Sequence, residues 1–429
     1  MTEARVKLAG YLLALAGLGA GLSAIMALPL LLPAALAAWC AAALVWRRAA
    51  SRSIIQAAAL ILAGVAGLAW GLIHAAPVDL QRALTANMGL IGLLIGVSFL
   101  QLVSLPASGT QDEPPRGPAA FRSTGLGVHL FGAVINLSTI FLVGNRLRQY
   151  GPLEREQIVM LTRFFATAGF WSPFFAAMAA ALTFAPEARI LHLIAAGVPL
   201  AALAMLITWL GTGRHVTDAF VGYPTRYQHL RVPGILAGAV IAIHLWDDSL
   251  SVIAVITLLA PLVTAAALLR QRRRGLPVIR THVTHNLPRM VNELLLFLAA
   301  GVMASGLAAT LATVDGWSLF TGFGPLEAWL TTLFIIALAV VGLHPVIGVA
   351  TFGTMLAPLQ PDNSLLAISF LAGWALGVTA SPLSGINLAL QGQFGLDSMR
   401  IVRWNAGYTV LMLLALGPAF WLVARLLQV

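Results

Sequence analysis

Residues Asn363 to Gln393 read NSLLAISFLAGWALGVTASPLSGINLALQGQ, without one charged side chain. The run is longer than the ~20 apolar residues a helix needs to cross the hydrocarbon core, and it is interrupted in mid-course. Pro382 deletes a helix hydrogen bond, and Gly377 and Gly385 relax the backbone on either side. Ser381, Ser384 and Asn387 place polar groups at bilayer depth. An apolar run of this kind is a membrane helix, and one broken at its centre by Ser-Pro exposes backbone inside the membrane. The run 156–183 has the same form, with Gly169-Phe-Trp-Ser172-Pro173 at its break.

The composition of the whole chain agrees. At 59% hydrophobic and 9% charged residues, it has too little polar surface for a water-soluble domain, where about a quarter of residues are charged. Outer-membrane barrels alternate over segments of about ten residues, whereas the apolar runs here are about twice that length. They fall at 8–26, 28–46, 53–75, 88–105, 123–145, 156–183, 190–211, 233–246, 249–270, 290–312, 327–360, 363–393 and 402–428. The formal charge of +10 comes almost wholly from arginine, Lys7 being the only lysine. These arginines lie in short loops, so they read as topogenic charge obeying the positive-inside rule and not as a nucleic-acid surface. Cys40 is alone, which excludes a disulfide framework or a thiolate metal site. Arg5 and Lys7 precede an apolar run too long for a cleaved leader, so residues 8–26 are read as the first membrane helix.

Two runs make poor crossings. Residues 123–145 are dense in Gly125, Gly127, His129, Gly132, Asn136, Ser138, Thr139 and Gly144; residues 327–360 are overlong and broken by Gly342, His344-Pro345 and Gly348. The loops flanking 123–145 are both basic (Arg116 and Arg122; Arg146, Arg148 and Arg155), as is the loop 271–289 with Arg272, Arg273, Arg274, Arg280 and Arg289. A re-entrant hairpin keeps both flanks in the cytoplasm. Asp315, Glu327 and Asp362 flank 327–360, which fits a hairpin dipping in from the outer face. The expected fold is an all-α polytopic membrane protein with about 11 transmembrane helices plus two re-entrant hairpins. It belongs in a bacterial inner membrane, N-terminus cytoplasmic and C-terminus outside.

The second half repeats the first. His129, Asn136-Leu-Ser138-Thr139 and Ser172-Pro173 are followed by His344, Thr351-Phe-Gly353-Thr354 and Ser381-Pro382 in the same order. The first unit starts from outside and the second from inside, so the repeats are inverted. The organisation expected is residues 1–87 as scaffold helices, 88–213 as repeat 1, 214–289 as linker helices with a basic loop, and 290–429 as repeat 2. Non-helical backbone survives in a bilayer only inside protein or against a water-filled cavity. Half-helix N-termini attract anions, and unwound carbonyls with Ser, Thr and Asn oxygens coordinate Na⁺.

Ser381-Pro-Leu-Ser-Gly-Ile-Asn-Leu388 resembles the Thr-Pro-Pro-Val-Gly-Leu-Asn-Leu stretch of the large membrane subunit of TRAP dicarboxylate transporters, with Pro382, Gly385, Asn387 and Leu388 matching outright. The plan of spans and opposed hairpins resembles the wider ion transporter superfamily, which includes divalent anion/sodium symporters. The resemblance implies a scaffold with a mobile core, small-anion substrates, coupling to Na⁺ or H⁺, and a homodimer. It implies site positions at Ser381, Gly385 and Asn387. Asn136, Ser138 and Thr139, together with Thr351 and Thr354, lie in the two hairpin regions where such families keep Ser/Asn/Thr signatures. The Ser-Asn-Thr triplet itself is absent from both hairpins.

The expected function is secondary active transport of a small organic anion, a carboxylate or sulfonate, coupled to Na⁺ or H⁺, and not catalysis. A cation/proton antiporter or exporter of the same superfamily, or a membrane-embedded transferase, are the alternatives; spans poor in acids and loops of about twenty residues weigh against them. The substrate-binding set is Asn136, Ser138, Thr139, Ser172, Thr351, Thr354, Ser381, Ser384, Gly385 and Asn387. Cofactors are expected to be none, and the only metal expected is Na⁺ near Thr379, Ser381 and Asn136. The partners are the anionic solute and membrane lipids, not nucleic acid.

His129, His344, Glu293 and Arg163 are ion-coupling candidates, each with a plainer alternative. Arg163 also fits snorkelling to the headgroups. Glu293 fits a helical ion pair with Arg289, and each histidine fits simple packing. His282 and His285 lie in the basic loop and are expected to be solvated. Arg270-Gln-Arg-Arg-Arg274 is a stop-transfer cluster first and an anionic-lipid contact second.

Overall fold

The computed structural model describes residues 2–104, 113–224, 231–270 and 275–429. Arg272, Arg273 and Arg274 of the basic cluster lie outside the described residues. In chain order the α-helices are α1 (Glu3–Met26), α2 (Leu31–Val45), α3 (Ser51–Ile73), α4 (Leu80–Thr85), α5 (Met88–Ser98), α6 (Gln101–Ser104), α7 (Gly117–Ile135), α8 (Ser138–Arg148), α9 (Arg155–Ala166) and α10 (Ala176–Phe184). They continue as α11 (Ile190–Gly211), α12 (Arg231–Trp246), α13 (Val252–Leu269), α14 (Gly275–Thr281), α15 (Val291–Leu311), α16 (Pro325–Val340), α17 (Pro345–Leu356), α18 (Asn363–Ala380), α19 (Gly385–Phe394) and α20 (Ser398–Leu427). No strand occurs among the described residues beyond one isolated bridge, Arg116 to Val221.

Nine helical segments among the described residues are long and apolar enough to cross a membrane, from Glu3–Met26 to Ser398–Leu427. With the composition, this makes the chain an all-α integral membrane protein. The two runs that read as poor crossings are each two helices joined by a turn: α7 and α8 meet at Asn136-Leu137, and α16 and α17 at residues 341–344.

The chain divides into two compact units. The first holds Met1–Ser104, Val232–Leu319 and Ala350–Pro358. Its tightest packing is α3 on α15. A Cβ on Gly64 would fall 2.5 Å from the Val302 carbonyl oxygen, and one on Gly306 would strike the Gly64 carbonyl. Lipid tails give helices no hydrophobic reason to associate, so close backbone approach between small residues supplies the attraction. Side chains then tie the unit together: Asn87 Nδ2 donates to the Phe297 carbonyl at 2.8 Å, and Trp70 Nε1 to Thr313 Oγ1 at 3.1 Å.

The second unit holds Leu105–Arg231, Phe320–Val349 and Leu359–Val429. Its centre is α18, every residue of which from Ser364 to Ala380 is buried. Thr332 Oγ1 on α16 lies 3.1 Å from the Ser369 carbonyl, and Trp329 Nε1 donates to the Leu413 carbonyl of α20 at 2.7 Å.

Two expectations fail in the first unit. His282 is 1% exposed, not solvated. It opens a π-helical turn, His282–Asn286, and its Nε2 sits 2.9 Å from Ser98 Oγ. Ser98 gives its own proton to the Ile95 carbonyl, so the imidazole N–H must be the donor between them. Glu293 does not pair with Arg289: the one ion pair among the described residues is Lys7 with Glu3, at 2.6 Å. Arg289 lies in a 3₁₀ turn, Leu287–Met290, ahead of α15, so the α-helical spacing that would bring the two side chains together is not present.

Candidate functional site: two interrupted helices

Each Ser-Pro sequence stops a helix in the second unit, and the two do so with the same backbone bonds. At the first, the Ser172 amide donates to the Ala168 carbonyl, as in a continuing helix, at 2.9 Å. Pro173 has no amide to carry on. The Phe174 amide turns back to Ser172 Oγ at 3.2 Å, and the Phe175 amide to the Ser172 carbonyl at 3.2 Å. At the second, the Ser381 amide donates to Gly377 at 2.9 Å, the Leu383 amide to Ser381 Oγ at 3.2 Å, and the Ser384 amide to the Ser381 carbonyl at 3.3 Å. A serine before the proline is thus the residue the break needs, since its hydroxyl takes the amide the lost helix turn would have used.

A turn between helices approaches each break. Asn136, at the α7–α8 turn, adopts φ 50°, and its Nδ2 donates to the Phe174 carbonyl at 3.1 Å. Ser172 Oγ donates in turn to the Ala133 carbonyl. Gly342, at the α16–α17 turn, has φ +95°, and a Cβ there would come within 2.7 Å of Leu383. His344 caps α17 through Nδ1, which accepts from the Val346 amide at 3.2 Å, and its ring meets Trp374 edge-on at 5.3 Å.

Downstream of the second break, Ser384 Oγ caps α19 by accepting the Asn387 amide at 3.4 Å. The Asn387 side chain is fully buried and folds back, Nδ2 donating to the Ser381 carbonyl at 2.8 Å. A carbonyl oxygen accepts only from the amide nitrogen, so the orientation is forced and Oδ1 is left over. Among the described residues Oδ1 has no partner, and the same holds for Thr139 Oγ1, buried in the first turn of α8. An orphan of this kind costs about 1–3 kcal/mol. Gly385 opens on space: a Cβ there would meet nothing within 4 Å. Thr379 spends its hydroxyl on the Leu376 carbonyl at 2.8 Å.

His129 lies in α7. Trp171 Nε1 donates to His129 Nε2 at 3.2 Å, His129 Nδ1 is 2.8 Å from Thr167 Oγ1, and Thr167 Oγ1 donates to the Phe164 carbonyl at 2.7 Å. Arg163 is 6% exposed and does not snorkel out as a free side chain. Its Nε donates to Asn405 Oδ1 at 2.9 Å and a terminal nitrogen to the Trp404 carbonyl at 2.8 Å, with the guanidinium 4.7 Å from the Tyr408 ring centre. Asn405 Nδ2 completes the network on Thr162 Oγ1 at 3.3 Å.

The second unit therefore gathers Asn136, Ser138, Thr139, Ser172, Ser381, Ser384, Gly385, Asn387, His129, His344 and Arg163. Thr351 and Thr354 fall in the first unit, where Thr354 spends its hydroxyl on the Ala350 carbonyl at 2.8 Å. Glu293 is also there. Sequence reading passed over Asn405, Thr167 and Trp171 as functional partners. Asn405 carried a usable signal, being a polar residue near the start of the apolar run 402–428. Among the described residues no group of three or more His, Cys, Asp or Glu comes together as a metal site.

No known family model matches the chain, and no curated protein matches it. Among solved structures, the crystal structure of the YdaH transporter of Alcanivorax borkumensis is similar to this chain at 16% identity and a TM-score of 0.45, over 80% of this chain and 85% of that one.

Proposed function

We propose that this protein is a secondary active transporter that carries a small organic anion, a carboxylate or sulfonate, across the membrane in symport with Na⁺. In this reading the α7–α8 and α16–α17 pairs are re-entrant hairpins of two inverted repeats. The first turns of α10 and α19 present positive dipole ends to the anion, and Gly385 leaves room for it. The observation that carries the reading is the unpartnered Oδ1 of Asn387, held in place by its own amide bond at an interrupted helix. Burial of that oxygen is costly without a ligand, and an amide oxygen takes a hard cation without titrating, which favours Na⁺ over a proton. Ser381, whose carbonyl holds Asn387 Nδ2, adjoins that position, and Thr139 leaves a second unpartnered oxygen in α8.

Thermal unfolding of the purified protein in Na⁺ or K⁺, with succinate or methanesulfonate, tests the proposal. Na⁺ with one of these anions is expected to stabilise more than either alone, an anion at a hundredfold excess over its Kd in the presence of Na⁺ adding about 2.7 kcal/mol over the anion-free protein. Asn387→Ala should remove the Na⁺ response without destabilising the unliganded protein. It loses one side-chain hydrogen bond of about 0.6 kcal/mol but also removes the orphaned oxygen and its cost of about 1–3 kcal/mol. An Asn387→Ala protein with wild-type Na⁺ stabilisation and wild-type Na⁺-driven uptake into proteoliposomes would overturn it.

A further inference from the structure

Away from the breaks, arginines converge on one indole where the second unit's α9 and α20 begin. The Arg155 guanidinium lies 5.8 Å from the Trp404 ring centre and that of Arg400 lies 5.0 Å from it. Both arginines are exposed, and Trp404 is half-buried. Neither forms an ion pair among the described residues. Of the acids nearest in sequence, Glu154 takes part in the capping box of α9 and Asp397 accepts the Met399 amide at the start of α20. Glu156, in the first turn of α9, forms no ion pair among the described residues. Two like charges thus share one aromatic ring with no carboxylate within ion-pair distance of either among the described residues. Beneath them Arg163 holds the Trp404 carbonyl at 2.8 Å and Asn405 Oδ1 at 2.9 Å, fixing the stretch of α20 that carries the indole against α9.

We propose that Arg155 and Arg400, stacked on Trp404, form a binding site for a phosphate group, which in the membrane is the headgroup phosphate of an anionic phospholipid. A guanidinium held over an indole without a carboxylate partner keeps N–H groups available, and such groups match phosphate oxygens two at a time. The stacking fixes the side chains beforehand, so less freedom is lost when the anion arrives. Tryptophan at a helix end sits at headgroup depth, and basic recesses between helices on the cytoplasmic side are where anionic headgroups bind. Arg163 is a positioning residue here. The proposal stands apart from the transport reading and does not depend on it.

The test uses the full chain in phosphatidylcholine nanodiscs, with and without phosphatidylglycerol, and compares Arg155→Gln/Arg400→Gln with wild type by thermal unfolding and by lipid retention in native mass spectrometry. Wild type should be stabilised by phosphatidylglycerol, and the double variant should retain that lipid about tenfold less, equivalent to 1.4 kcal/mol. Arg146→Gln, which removes an arginine stacked on Tyr150 instead, should retain it as wild type does. A parallel arm adds inorganic phosphate: stabilisation equal to that by the lipid supports the site and assigns it to a soluble phosphate. Undiminished phosphatidylglycerol retention in the double variant, or equal stabilisation by phosphatidylcholine alone, would overturn the proposal.

Discussion

The two Ser-Pro breaks share their backbone bonds but not their supports. At Ser381 the support is local: Ser384 caps α19, and Asn387, in the first turn of that helix, closes on the Ser381 carbonyl. At Ser172 nothing downstream does this. Phe175 occupies the N-cap of α10 with no side chain to donate or accept, and the loose carbonyl of Phe174 is instead taken by Asn136 from the α7–α8 turn. One interruption is self-contained, and the other is held by a neighbouring helix pair. The self-contained break retains a spare oxygen, Asn387 Oδ1, whereas at the supported break Ser172 both accepts and donates.

Breaking the first support should cost most at Asn136. An alanine there loses the bond to Phe174, about 0.6 kcal/mol, and keeps the backbone at φ 50° and ψ −136°, a conformation that costs an L residue about 1–3 kcal/mol and glycine little. Both variants lose the bond but only Asn136→Gly sheds the strain, so Asn136→Ala is expected to be the less stable of the two by roughly 2 kcal/mol, measured as unfolding midpoints in detergent. Equal effects of the two would mean that the backbone at the turn carries no strain.

Exchanging the serines sharpens the contrast. Ser172→Ala strips a partner from both the Ala133 carbonyl and the Phe174 amide, whereas Ser381→Ala strips one from the Leu383 amide alone. The first should cost about 1–2 kcal/mol and the second about half that, taking each orphaned group at the low end of its range. A larger loss from Ser381→Ala in the same unfolding assay would reverse the assignment of which break leans on its neighbour.

The breaks were legible because proline and its preceding serine announce them without reference to anything distant. The turns at Asn136 and Gly342 were legible for a similar reason, as clusters of glycine and polar residues inside apolar runs. What escaped were features fixed by packing between segments far apart in sequence. His282 sits among charges in the chain, yet α5 covers it and Ser98 accepts its proton, 184 residues away. The Arg289–Glu293 spacing assumed an α-helix where the chain makes a tighter turn. Thr139 and Asn387 could be named as polar residues at bilayer depth, but only the bonds made by their neighbours reveal which oxygen of each is left over.

The smallest expected effect concerns a feature the second break lacks altogether. The residue before Ser172 is Trp171, while the one before Ser381 is Ala380, which has nothing to donate. Trp171 gives its indole proton to His129 Nε2, so that nitrogen must be the acceptor and the ring carries its proton on Nδ1. Thr167, whose own proton goes to Phe164, accepts it. The relay ties α7 to the last turn before the first break, and it gives His129 no free nitrogen for a second proton unless Trp171 moves. Trp171→Phe keeps the ring packing and removes only the donor, so a loss below about 1 kcal/mol is expected, with uptake in proteoliposomes unchanged. Uptake lost while the unfolding midpoint stays within that margin would place the His129–Trp171 pair in transport itself, and the difference between the two breaks would then be functional as well as structural.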